Sequence, residues 1–210
     1  TSKYKPDKKF RKIIRKELNI SNDCLLIGNI SRYHPLKDHD NLLKALSILN
    51  QYDINFKCLF VGKGLSNDNL ELIKKIKKNN LFEKVLLYGK SYEVSKIFNA
   101  LDIHILSSIK EGFGMVLIEA MSCGIPCVST NVGDAKIIIG NTGWIVERSK
   151  PLEMAKCLIK IFKGEKILNQ MMKAKVIHEF PPALAALNNY NLIKQGINQN
   201  ILMPYSDSLL

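Results

Sequence analysis

The stretch DIHILSSIKEGFGMVLIEAMSCGIPCVSTN, residues 102–131, reads as strand, turn, helix and strand. DIHILSS (102–108) is a short, nearly continuous apolar run, the pattern of a strand covered on both faces. GFG (112–114) permits a tight turn and close backbone approach. The segment after it carries Val116, Leu117, Ala120 and Cys123 around Glu119, a largely buried helix, and PCVSTN (126–131) is again strand-like. The same alternation extends outward. Toward the N-terminus lie strands at 24–31, 56–62 and 85–89, each followed by a helical pattern, at 39–51, 69–79 and 91–101. Toward the C-terminus a sixth strand is expected at 143–147 and a helix at 149–164, with Gly164 as its cap. Further helices are expected over 165–180, up to the Pro181-Pro182 break, and over 183–196, before a tail without clear period. Apolar strands alternating with helices define an α/β protein, a doubly wound, Rossmann-like parallel sheet with helices on both faces. Such a sheet binds ligands at the carboxyl ends of its strands.

The chain has 210 residues, 46% hydrophobic and 24% charged, enough for a sizeable core. No apolar run approaches the roughly 20 residues needed to span a bilayer, and the start of the chain lacks the pattern of a secretory signal. The net charge of +12 favours anionic partners, though runs such as KKIKKNN are the usual solvated faces of helices. No nucleic-acid motif is present. The five cysteines, Cys24, Cys58, Cys123, Cys127 and Cys157, lie mostly in apolar segments and read as reduced thiols of a cytoplasmic protein. In KKFRKIIRKELNI, Phe10, Ile13, Ile14 and Leu18 share one helical face opposite a basic one. That helix can dock on its own domain or touch a membrane surface.

The candidate chemistry sits after the strands. Glu111 closes the loop after DIHILSS, and Glu119 follows on the helix. On a straight helix the two carboxylates stand roughly 12 Å apart, the scale of a diphosphate with a sugar ring at each end. The N–H groups at the start of that helix, near Gly112, Phe113, Gly114, Met115 and Val116, form an anion site between them. Arg32 and Lys37, in the loop after the first strand, can neutralise a diphosphate. They can equally be solvent-facing surface cations. Gly62, in FVGKG, allows a tight strand-to-helix turn near a ligand. His34, Asp38, His39 and Asp40 form an alternative metal-ligand cluster, at a spacing that matches no familiar template, and Asp38 equally suits a helix cap. His104, inside a strand, reads as a core histidine. Ser107 and Ser108 end the same strand beside the Glu111 loop.

In this order, RYHPLKDHDNLLKAL, FVGKG, VLLYGK, DIHILSSIKEGFGMVLIEAMSCGIPCVSTNVGD and TGWIV resemble the C-terminal donor-binding domain of the group-one glycosyltransferases. These are GT-B-fold, retaining, nucleotide-sugar-dependent enzymes of family four, with an E-x7-E signature met by Glu111 and Glu119. The resemblance covers roughly residues 1 to 165 and implies one half of a GT-B fold. It implies that Glu111 and the backbone from Gly112 hold the transferred sugar, that Glu119 holds the ribose, and that Arg32 and Lys37 bind the leaving diphosphate without a divalent cation. The implied substrate is a UDP- or GDP-sugar, with no further cofactor. The acceptor would be a glycan or lipid-linked saccharide of cell-envelope polysaccharide biosynthesis, met at the inner face of the cell membrane. Two departures stand out. In NVGDAKIIIG, Gly133 is followed by Asp134, and Lys136 stands near the position where the family often has a glutamate. Nothing matches the family's acceptor-binding domain, so residues 1–20 are expected to be the junction from it, 21–165 the nucleotide-sugar domain and 166–210 C-terminal helices with a tail. The alternative is a non-catalytic anion- or nucleotide-binding module, a scaffold or sensor that works through its basic surface.

Overall fold

The computed structural model describes residues 3–163. The expectations for Gly164 and for 165–210 lie outside these residues. Six strands form one parallel sheet: β1 (Leu25–Ile30), β2 (Phe56–Val61), β3 (Val85–Gly89), β4 (Ile103–Leu106), β5 (Cys127–Thr130) and β6 (Trp144–Val146). Their order is β3-β2-β1-β4-β5-β6, so the chain winds outward one way from β1 and the other way from β4. The helices are α1 (Lys8–Glu17), α2 (His39–Leu49), α3 (Leu70–Lys78), α4 (Val94–Ala100), α5 (Met115–Ser122), α6 (Ala135–Ile139) and α7 (Pro151–Lys163).

The two-residue period of a strand divides the core between the faces. On β1, Leu26 joins the cluster under α1, α4, α5 and α6, while the next residue, Ile27, joins the one under α2, α3 and α7. The apolar face expected of the second helix is buried as read: Leu42, Leu43, Leu46 and Leu49 are all 0% exposed. β3 fills its expected run and the other strands end a residue or more inside theirs; after β4, Ser107 and Ser108 have already left the ladder for the site loop.

The first helix departs from its expected pattern. Asp7 caps α1, accepting from the backbone N–H of Lys9 and Phe10. Ile14 is buried, but Ile13 is 47% exposed and does not share the buried face assigned to it. Arg15 is buried instead. Its guanidinium donates to the carbonyls of Ala100, Ser21 and Cys24 and to Asp102, which also accepts from Arg11 and from the amide of Leu26. A buried guanidinium needs such acceptors, and here both terminal nitrogens find them while Nε has none among the described residues. The apolar face of α1 thus docks on α4 within this domain. Helix α6, absent from the expected elements, has five residues, too few to show a period in sequence.

Candidate active site

The order of the strands reverses between β1 and β4, and the loops leaving them stand side by side at that switch point. The Ile109 amide donates to the Leu36 carbonyl across the two loops, at 2.8 Å. Doubly wound sheets place their ligands in this crevice. Here it brings Lys37, from the β1 loop, onto Glu111, from the β4 loop: Nζ lies 2.5 Å from Oε1. The side chains are 19% and 13% exposed, so the pair is largely withdrawn from solvent yet reachable. The Ser108 hydroxyl donates to the same Oε1 at 2.7 Å, and the Ser107 hydroxyl donates to the Lys37 carbonyl at 2.8 Å.

The β1 loop is held from below. The Tyr33 amide donates to the Lys63 carbonyl, and a side chain at Gly62 would drive its Cβ to 1.8 Å from the Ser31 carbonyl oxygen. Gly62 therefore lets the β1 and β2 loops meet; its contact is with the loop that carries Arg32. The four residues of the alternative metal cluster go separate ways. His34 accepts from the Leu36 amide, Asp38 caps α2 at the Asn41 amide, His39 contacts the Ser31 hydroxyl and Asp40 pairs with Lys75. Burial pushes the His39 imidazole down to about 4, so it sits neutral beneath the cationic loop. Arg32 is exposed, and among the described residues its guanidinium has no hydrogen bond or ion pair.

Helix α5 begins only at Met115, so Glu111 lies in the loop before it and the straight-helix span between the two carboxylates does not apply. The left-handed Gly114 (φ 70) turns the chain into the helix and has no side chain with which to cap it. The Leu117 amide bonds back to the Gly114 carbonyl, while the amides of Met115 and Val116 are left at an uncapped N-terminus beside Glu111. Phe113 is half-buried, Met115 is exposed and Val116 packs on the core. Space around Gly112 is open, whereas a Cβ on Gly133 would meet the Gly112 carbonyl oxygen at 2.2 Å. The loop after β5 thus backs the Glu111–Gly112 turn, a role the sequence left unassigned.

Glu119 is half-buried on α5, close enough to the phenol of Tyr4 for the two groups to shift each other's titration. Burial pushes its carboxyl above the usual range, and Tyr4 and Lys3 pull it part of the way back. Burial raises the Tyr4 phenol in turn to about 12, with Glu119 adding to the effect. The Tyr4 segment is fixed by Asn99 of α4, which donates to the Lys5 carbonyl and accepts from the Asp7 amide. Tyr4 is a contact the sequence reading missed, because nothing local links it to a residue far along the chain. His104 is fully buried, edge-on to Phe98, and burial pushes it down to about 3: it is a core histidine as expected, but among the described residues neither ring nitrogen has the hydrogen-bond partner expected of a satisfied one.

A doubly wound domain with a carboxylate–ammonium pair and an uncapped helix N-terminus at its switch point offers groups that can bind anionic and hydroxyl-bearing ligands. The chain belongs to the group 1 glycosyl transferases, whose family model matches residues 10–176. It is 30% identical over 160 residues to the N-acetyl-alpha-D-glucosaminyl L-malate synthase of Bacillus anthracis, covering 75% of this chain and 41% of that protein. In fold it is similar to Anabaena Alr3699/HepE, solved in complex with UDP-glucose, at TM-score 0.70 and 23% identity, over 95% of this chain and 54% of that one. It is likewise similar to the C-terminal domain of LpcC, a group 1 glycosyl transferase of Francisella tularensis, at TM-score 0.64 and 22% identity, over 93% of this chain and 96% of that domain. The chain spans less than half the length of that curated relative. Membership in this family favours the glycosyltransferase reading over the scaffold one. Among the described residues no helix is long and apolar enough to cross a membrane.

Proposed function

We propose that this chain is the donor-binding half of a retaining, metal-independent glycosyltransferase of the E-x7-E type, which moves a hexose from a UDP- or GDP-sugar to an acceptor hydroxyl. The observation that carries the proposal is the meeting of Lys37 and Glu111 at the switch point, beside the α5 N-terminus. In this reading Lys37 and Arg32 take the diphosphate, with the amides of Gly112 to Val116. Glu111 accepts hydrogen bonds from the transferred sugar and Glu119 from the ribose. The bond between the anomeric carbon and the diphosphate oxygen breaks, and a bond to the acceptor oxygen forms on the same face. The acceptor proton passes to the departing diphosphate. The cations of the β1 loop and the amides at the start of α5, which meet the charge as it develops, supply most of the rate, in place of a metal ion.

The UDP-glucose complex of the HepE neighbour supports a uridine donor. The acceptor, a glycan or lipid-linked saccharide met at the cytoplasmic membrane face, is carried by the resemblance to enzymes of envelope polysaccharide synthesis. Calorimetry with UDP, GDP and ADP tests the donor assignment. One of the three is expected to bind, and Arg32→Ala or Glu119→Gln to weaken it about tenfold, the loss of one charged hydrogen bond. Millimolar concentrations of all three without heat of binding would remove the proposal.

A further inference from the structure

Two donors share one oxygen of Glu111: the Lys37 ammonium at 2.5 Å and the Ser108 hydroxyl at 2.7 Å. They differ in what holds them. Lys37 is a flexible cation that the proposed reading sends to the diphosphate. Ser108 is 1% exposed, and its carbonyl is fixed by the hydroxyl of Thr130, which lies 2.7 Å away on β5 and is itself fully buried. The neighbouring serine does a different task, since the Ser107 hydroxyl grips the backbone of Lys37 and makes no bond to its ammonium, which pairs with Glu111.

We infer that Ser108 is a positioning residue for the transferred sugar: its hydroxyl keeps the Glu111 carboxylate in place when the diphosphate draws Lys37 away. The inference rests on the donor-site reading above. A carboxylate that loses its ammonium partner retains full desolvation cost and many rotamers unless a second donor holds it. Ser108, anchored through Thr130 to the neighbouring strand, is that donor. The serine pair at the end of β4 thus separates two tasks, with Ser107 setting the cation and Ser108 the sugar carboxylate.

The test compares a nucleotide with its sugar conjugate, by calorimetry on the full 210-residue chain. The probes are UDP with UDP-glucose and GDP with GDP-mannose, and the pair that binds is used. Ser108→Ala is expected to weaken the sugar conjugate about fivefold to tenfold and the bare nucleotide by less than about twofold. Ser107→Ala should weaken both alike, because it displaces the cation. In a double-mutant cycle, Ser108→Ala should add no further loss to Glu111→Ala. Equal loss of both ligands in Ser108→Ala, no loss of either, or additivity with Glu111→Ala overturns the inference and leaves the donor site standing. Failure of the unaltered chain to bind any of the four ligands overturns the donor-site reading, and this inference with it.

Discussion

At Glu119, two opposing effects set a pH dependence. Burial raises the carboxyl pKa, and the Tyr4 phenol and Lys3 lower it. A carboxyl accepts with full strength from both hydroxyls of a ribose diol only when ionised, so nucleotide affinity should fall as pH drops through this raised value. The diphosphate titrates as well, so the quantity to follow by calorimetry is the affinity ratio of the unaltered chain to Glu119→Gln. That ratio should shrink on acidification, and Tyr4→Phe should shift its midpoint to higher pH. The linked effect on folding has the opposite sense. A carboxyl with a raised folded pKa favours folding below its unfolded value, and that contribution is lost as pH rises through the folded one. Asp38 carries a second prediction at this scale. It is a non-glycine residue in the left-handed region (φ 47), held by its cap on the Asn41 amide and a hydrogen bond from Ser149. Asp38→Ala keeps the strained backbone and loses both bonds, so urea unfolding should show a loss of about 1–2 kcal/mol, with Asp38→Asn close to neutral. The legibility of the site follows the same division. Lys37, Arg32, Glu111 and the GFG turn stood out because loops after strands carry few constraints beyond function. Tyr4 did not, since its partner is set by tertiary packing that no local pattern encodes.

Among the elements, α5 and the two loops around its start form one device, and two glycines in it make different demands. Gly133 (φ 47) has the Gly112 carbonyl where its Cβ would go, whereas Gly112 looks into open space. Gly133→Ala should therefore push the Glu111 turn out of place and destabilise the fold by about 1–3 kcal/mol, with donor binding lost as well. Gly112→Ala should unfold within about 0.5 kcal/mol of the unaltered chain, as surface changes usually do, but should bind donor more weakly, because the new methyl group occupies the approach to the helix N-terminus. Thermal unfolding paired with UDP-glucose calorimetry separates the two outcomes. The elements that sequence made plain are those with a sustained period. The four leucines of α2 and the apolar run of β1 left one reading each. Alternatives opened where burial was bought by hydrogen bonds instead of apolar surface. Arg15 displaced Ile13 from the buried face of α1, and periodicity counts arginine as polar whatever its partners.

For the molecule as a whole, the position of α1 decides where the domain begins. An expected boundary at residue 21 would leave α1 outside, as a junction, yet Ile14 and Ile20 belong to the core and Arg15 closes the N-terminal ends of β1 and β4 through Asp102. Removing residues 1–20 would expose the α4 face and leave the Asp102 carboxylate without either arginine. Loss of the Ile14 side chain alone costs about 1.5–3 kcal/mol, and leaving the part-buried Asp102 carboxylate without its two guanidinium partners about 1–3 kcal/mol. Together the two losses are a large share of the roughly 5–15 kcal/mol by which an ordinary domain is stable. A chain starting at Ser21 should therefore melt at least about 10 °C below the intact one, or fail to give a cooperative transition in calorimetry. The same truncation removes Tyr4, so the two effects need separate readouts: Tyr4→Phe in the intact chain should move the melting temperature far less than the truncation does and should shift the pH response of nucleotide binding. A Ser21 start that melts with the intact chain would mean that α1 is merely laid on α4, and the domain would then begin at β1.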